Sequence, residues 1–146
     1  MKRILMTSLY FLLIPFAFSQ SQKKPNIILI NIDDMGWRDL GFMGSDFYET
    51  PTIDSLAKMG MIFTQGYSSA SNCAPSRASM MTGKWSPRHG IYTVGTSERG
   101  KSIDRKIIPT ENTTTLSQEH LIIPQKLKEA GYKSIAAGKW HLSNSI

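Results

Sequence analysis

The chain has 146 residues, 40% hydrophobic and 19% charged, which is enough for one domain with a core and excludes a disordered polyelectrolyte. Its formal net charge of +6 suits an anionic substrate, but the basic residues are scattered and form no stripe, so no nucleic-acid partner is expected. The one cysteine excludes an internal disulfide and leaves either a reactive group or a buried inert thiol.

At the N-terminus, Lys2 and Arg3 precede an almost wholly apolar run from Ile4 to Phe18, and Ala17 and Ser19 are small residues at a signal-peptidase spacing. Residues 1–19 therefore read as a secretory signal peptide. The run is shorter than the ~20 residues of a spanning helix, and Pro15 interrupts it. The chain is expected to be exported, to a periplasm or outside the cell, with no membrane attachment after cleavage. No cysteine stands at the cut site to carry a lipid. Residues 20–24 read as a polar linker.

Pro25 opens an apolar run over 26–31, which predicts a strand buried on both faces of a parallel sheet. It leads into Asp33-Asp34, at the strand end where α/β proteins place ligands. Thr50 as cap, Pro51 at the first position and Asp54 in the first turn predict a helix ending at Gly60, with Ile53, Leu56 and Ala57 on one face. Residues 61–67 read as a strand, 68–72 as a loop, and 74–82 as a short helix beginning near Pro75. The stretch 83–109 reads as mostly loop, with 90–93 open. Asn112-Thr113-Thr114 is a glycosylation sequon. A helix over 124–130, stopped by Gly131, precedes a strand over 132–137 and then Gly138-Lys139-Trp140-His141-Leu142. This alternation predicts an α/β fold with a largely parallel sheet.

Three constellations carry chemistry. The first is Cys73-Ala74-Pro75-Ser76-Arg77. Pro75 starts a helix and puts Cys73 at its N-terminus, where free amides and the helix dipole favour an anion. Arg77 lies in the first turn and can point back to the same spot. A cysteine there could also act as a thiolate in a cysteine hydrolase or phosphatase-like enzyme, though no Cys-x5-Arg phosphate loop is present. The second is Asp33-Asp34, either a metal-binding pair or a solvated turn. The third is Gly138-Lys139-Trp140-His141 at the end of the last strand; alone it would read as a surface loop, but His141 has the right intrinsic pKa for a general base near neutral pH.

Taken together, Cys73-Ala74-Pro75-Ser76-Arg77 continued to Thr82-Gly83, the segment from Pro25 through Asp33-Asp34 to Trp37, and Gly138 to His141 resemble the type I, formylglycine-dependent, arylsulfatase-like sulfatases. The resemblance implies an alkaline phosphatase-like α/β fold, of which residues 25–146 would be the truncated N-terminal portion of the catalytic domain. It implies that a separate maturation enzyme oxidises Cys73 to formylglycine, reading Cys73, Pro75 and Arg77. It implies one calcium ion held by Asp33, Asp34 and an oxygen of the converted Cys73, completed by a later pair of side chains. Arg77 and Lys139 would contact the sulfate. A hydroxyl of the hydrated aldehyde would attack sulfur, and His141 would take a proton from the second hydroxyl so that sulfate leaves. The substrate would be a sulfate ester, plausibly of a sulfated carbohydrate. Arg38 stands where many members have a small residue.

Outside the motifs, Lys84 and His89 read as positioning residues and His120 as structural. Trp37, Trp85 and Trp140 read as packing or pocket walls. Glu98, Arg99 and Arg105 lie in the long loop and receive no role. The family's second metal pair, second His and second Lys are not found in the chain. The expectation is therefore a fragment that is poorly stable alone. Two further classes stay open: an inactive remnant or a subunit completed by another chain, and a phosphoester or phosphonate hydrolase of the same superfamily.

Overall fold

The computed structural model describes residues 23–143. The signal peptide, most of the linker, and residues 144–146 lie outside the described residues. The chain divides into two compact units, Met1–Asn31 and Ile32–Ile146.

In the first unit the described residues, 23–31, form neither helix nor strand. Ile28 is 84% exposed and Ile30 71% exposed. The strand expected over 26–31 is thus absent as a paired element.

The second unit is built from helices and irregular segments. Helix α1 (Pro51–Met59) starts on its proline as expected, and Gly60 follows it in an extended conformation. Thr50 precedes the helix without capping it. Its hydroxyl instead donates to Asp54 Oδ1 (2.9 Å) and accepts from the Gly41 N–H (2.8 Å). Asp54 Oδ1 also accepts from the Phe42 N–H at 3.1 Å. Both side chains therefore hold the 3-10 turn Gly41–Met43 against α1.

Helix α2 (Cys73–Thr82) includes Cys73 as its first residue and ends on Gly83, whose φ of 66° is left-handed and whose N–H donates to Ser79 O at 2.8 Å. Helix α3 (Ser86–His89) falls inside the stretch that reads as loop in the sequence, with a proline in its first turn. Helix α4 (Ile123–Glu129) matches its expected span to within a residue. Gln125 Oε1 reaches back to the Ile122 N–H at 2.9 Å and satisfies one of the free donors at its start.

The core of this unit is small. Ala74 and Ala78 from the inner face of α2 pack with Ile91, Leu116 and Leu142, flanked by Met81 and Ile122. Leu116 N–H donates to Leu142 O at 2.9 Å, so the segment after Lys139 is held both by backbone and by a buried side chain.

No strand occurs among the described residues. Residues 61–67 and 132–137, expected as strands, carry exposed apolar side chains, and Ile135 is 97% exposed. The physical reason is that a strand exists only in a ladder. Apolar patterning reports what a segment would bury, not whether a partner lies beside it. A groove of about 1060 Å³ opens between the 3-10 turn, α1 and residues 61–68, lined by Phe42, Ile53, Leu56 and Phe63 among others. No helix of the described residues is long and apolar enough to cross a membrane.

Candidate active site

Cys73 stands at the start of α2, half-buried and in no disulfide. Asn72 enters the helix in extended backbone, and its Nδ2 donates to Thr93 Oγ1 at 3.1 Å. The first amides of α2 have no partner within the helix, which leaves positive potential at Cys73.

One turn on, Arg77 is 9% exposed. One terminal nitrogen donates to Asp33 Oδ1 at 2.9 Å and the other to the Lys139 carbonyl at 2.8 Å. Lys139 Nζ donates to Asp33 Oδ2 at 2.5 Å. A single carboxylate thus bridges two cations drawn from distant parts of the chain. The hydrogen bond from Lys139, then that from Arg77, holds the Asp33 carboxyl below its ordinary pKa despite partial desolvation. The Asp33 hydrogen bond raises the Lys139 pKa, and the Cys73 sulfur adds to the rise by charge and by hydrogen bonding. Asp33, Cys73, Arg77 and Lys139 therefore share one neighbourhood.

Asp34 (φ 53°) and His141 (φ 59°) are the non-glycine residues with left-handed backbone among those described. Asp and His enter this region more readily than most side chains, but such residues remain uncommon and cluster at sites where a side chain must be aimed. His141 Nδ1 and Arg77 Nε are buried with no hydrogen-bond partner among the described residues. A buried orphan of this kind costs about 1–3 kcal/mol and marks bonding capacity left unused. No hydrogen bond joins Asp34 or His141 to the Asp33 cluster among the described residues. No group of three or more His, Cys, Asp or Glu side chains gathers there as a metal site.

The residues read as positioning groups have definite partners. His89 is 5% exposed. Its Nδ1 accepts from the Ile91 N–H at 3.2 Å, so Nε2 carries the proton and faces Ser79 Oγ at 3.1 Å. Burial, then the charge of His120, pushes its pKa down. This ring pins α3 to the outgoing side of α2. Lys84 Nζ meets His120 Nδ1 at 3.0 Å.

Two relationships were not legible in the sequence. Asp33, read there as a metal ligand or part of a solvated turn, is the counter-ion of both Arg77 and Lys139. Asn112, read only as a sequon, uses its whole amide: Oδ1 accepts from the Tyr92 and Thr93 N–H groups, and Nδ2 donates to the carbonyls of Thr93 and Gly95. With the Asn72–Thr93 bond, this ties the loop after Ile91 to the entry of α2. No local signal announces either contact, because the partners are separated by many residues.

The family model described as Sulfatase matches residues 25–145. N-acetylgalactosamine-6-sulfatase of Canis lupus familiaris is 43% identical over 122 residues, covering 84% of this chain and 22% of the relative. A protein named Sulfatase from Formosa agariphila is 37% identical, with 97% of this chain and 28% of the relative covered. Arylsulfatase G of Rattus norvegicus is also 37% identical, with 97% and 26% covered. The chain thus spans about a quarter of the length of the curated relatives it matches. No solved structure matches it significantly. The family implies an α/β fold, of which the described residues supply helices and no strand. With residues 25–145 matched by the family model and Asp33, Cys73, Arg77 and Lys139 gathered at one helix start, the chain belongs to the sulfatase family.

Proposed function

We propose that this chain carries the nucleophile and a set of anion- and metal-binding groups of an exported sulfate-ester hydrolase acting on a sulfated carbohydrate. The observation that carries the reading is the sharing of Asp33 between Arg77 and Lys139 beside Cys73. One fixed cation, Arg77, and one on a flexible stem, Lys139, next to a helix N-terminus form a place where a sulfate-like transition state is stabilised. The substrate class draws on relatives named N-acetylgalactosamine-6-sulfatase, and export draws on the signal-peptide pattern of residues 1–19.

Cys73, once converted to formylglycine, supplies a hydrated aldehyde as nucleophile. Arg77 is held rigidly by Asp33 and the Lys139 carbonyl and so keeps its charge aimed without reorganisation. Lys139, on a flexible stem, is the cation free to follow the sulfate oxygens. His141 holds or takes a proton from its place two residues beyond Lys139.

Calcium is the metal this reading implies. Asp33 and Asp34 fit it in kind, since both offer only hard oxygen donors, and Asp34 is exposed and turned by a left-handed backbone. Together they supply up to four of the roughly six to eight oxygens calcium takes. The converted side chain of Cys73, water and groups outside the described residues would supply the rest. When bound, the ion would lower the pKa of the nucleophilic hydroxyl and offset sulfate charge.

The test is peptide mass spectrometry of the chain co-expressed with a formylglycine-generating enzyme. Conversion of Cys73 lowers the peptide mass by about 18 Da, the replacement of a thiol by an aldehyde nucleophile. A Cys73 that stays a thiol while a control sulfatase is converted in the same cells overturns the reading.

A further inference from the structure

We propose that calcium and a sulfate-type anion bind this site cooperatively, with the Lys139 ammonium as the group exchanged between them. The inference rests on the function proposed above and deepens it. Both oxygens of Asp33 are already engaged, Oδ1 by Arg77 and Oδ2 by Lys139. A divalent cation that takes Asp33 as a ligand sets a further charge against these two, and one must give way.

The structure distinguishes them. The Arg77 side chain is 10% exposed and its guanidinium is tied at a second point, the Lys139 carbonyl. The Lys139 side chain is 42% exposed, and Asp33 is its one ion-pair partner among the described residues. Lys139 therefore yields. Its backbone stays where it is, because its carbonyl accepts from Arg77 and Leu142 nearby is buried. Only the four-carbon stem swings, which leaves the ammonium beside Cys73 without its Asp33 carboxylate. An anion at Cys73 takes the place of that carboxylate. Cation and anion thus break the same ion pair, and whichever binds second finds it already broken. The coupling is positive, and linkage makes it equal in both directions.

Titration calorimetry on the full chain tests this. Calcium is titrated with and without inorganic sulfate at constant ionic strength, with blanks for calcium sulfate pairing, and sulfate is titrated with and without calcium. The expected result is that sulfate tightens calcium binding by a factor within the roughly 5–150-fold range of ordinary couplings, and calcium tightens sulfate by the same factor. Lys139→Gln binds calcium more tightly than the unaltered chain in the absence of sulfate and loses the coupling. Lys139→Arg, which keeps a cation, restores part of it. Equal calcium affinity with and without sulfate overturns the inference and leaves the proposed function standing. Weaker calcium binding by Lys139→Gln does the same. Absence of calcium binding in both the unaltered chain and Lys139→Gln overturns the inference together with the calcium assignment.

Discussion

Lys139 follows Asp33 by 106 positions, and its ammonium donates to that carboxylate at 2.5 Å. Since Arg77 takes the other oxygen, the three motif regions of the chain meet on one carboxylate. Removing the carboxylate should therefore disturb all three. Asp33→Asn leaves Arg77, the most buried charge at the site, beside Lys139 with no counter-ion. The expected outcome is a lower melting temperature at low ionic strength, a smaller loss in 1 M salt where the two cations are screened from each other, and loss of the calcium binding proposed above. Thermal melts at both salt concentrations check the first two, and calorimetry the third.

Leu142 is 1% exposed, and its carbonyl takes the Leu116 N–H. It anchors the end of the segment that carries Lys139 and His141. Leu142→Ala should cost about 2–5 kcal/mol, a large share of the stability available to a core of five buried apolar residues among those described. Denaturant melts measure the loss. Faster hydrogen exchange at the Leu116 amide would show that the anchor itself has loosened.

His89 makes stability depend on pH. Its pKa is lowered in the fold by burial, so over the window below about 6.5 the unfolded chain binds a proton that the folded chain refuses. Stability is thus expected to fall as pH drops below about 6.5 and to be full above it. His89→Gln should flatten that slope. It should also lower stability at pH 7.5 by about 1–3 kcal/mol, because the Ser79 hydroxyl or the Ile91 amide loses its buried partner. Melts across pH 5–8 for both chains decide the point.

Asn112 closes the loop beside Asn72 with both its oxygen and its nitrogen. Asn112→Asp keeps the acceptor for Tyr92 and Thr93 but loses the donors to Thr93 and Gly95. The expected outcome is faster trypsin cleavage at Arg99, Lys101 and Arg105, in the loop that the amide holds. Limited proteolysis followed by mass spectrometry reads this directly. Unchanged cleavage would assign the holding of the loop to other contacts, such as Ser97 with the Thr110 carbonyl.

The exposed apolar runs should make the chain bind a hydrophobic dye. Ile28, Ile30, Phe63 and Ile135 are all more than two-thirds exposed. Such surface, spread over several segments, is well beyond the scattered apolar residues of an ordinary monomer. Strong dye fluorescence and a broad thermal transition are expected. A sharp transition without dye binding would contradict the exposure seen here.

What could be read along the chain was what short-range physics decides. Pro51 and Gly60 bracket a helix because proline suits a first turn and glycine a stop. Pro75 likewise marks a helix start beside Cys73. Even there the tertiary structure redirected side chains: Thr50 and Asp54 serve the Gly41–Met43 turn rather than a cap. The apolar runs at 26–31, 61–67 and 132–137 were legible as segments that want burial. Their state depends on partners, and pairing is not written in any one segment. The candidate site residues could be named from their motifs, but that Asp33 would lie between Arg77 and Lys139, and Asn112 between Thr93 and Gly95, was decided by folding alone. A charge or an amide finds its partner through space, and the spacing of residues along the chain carries no record of that distance.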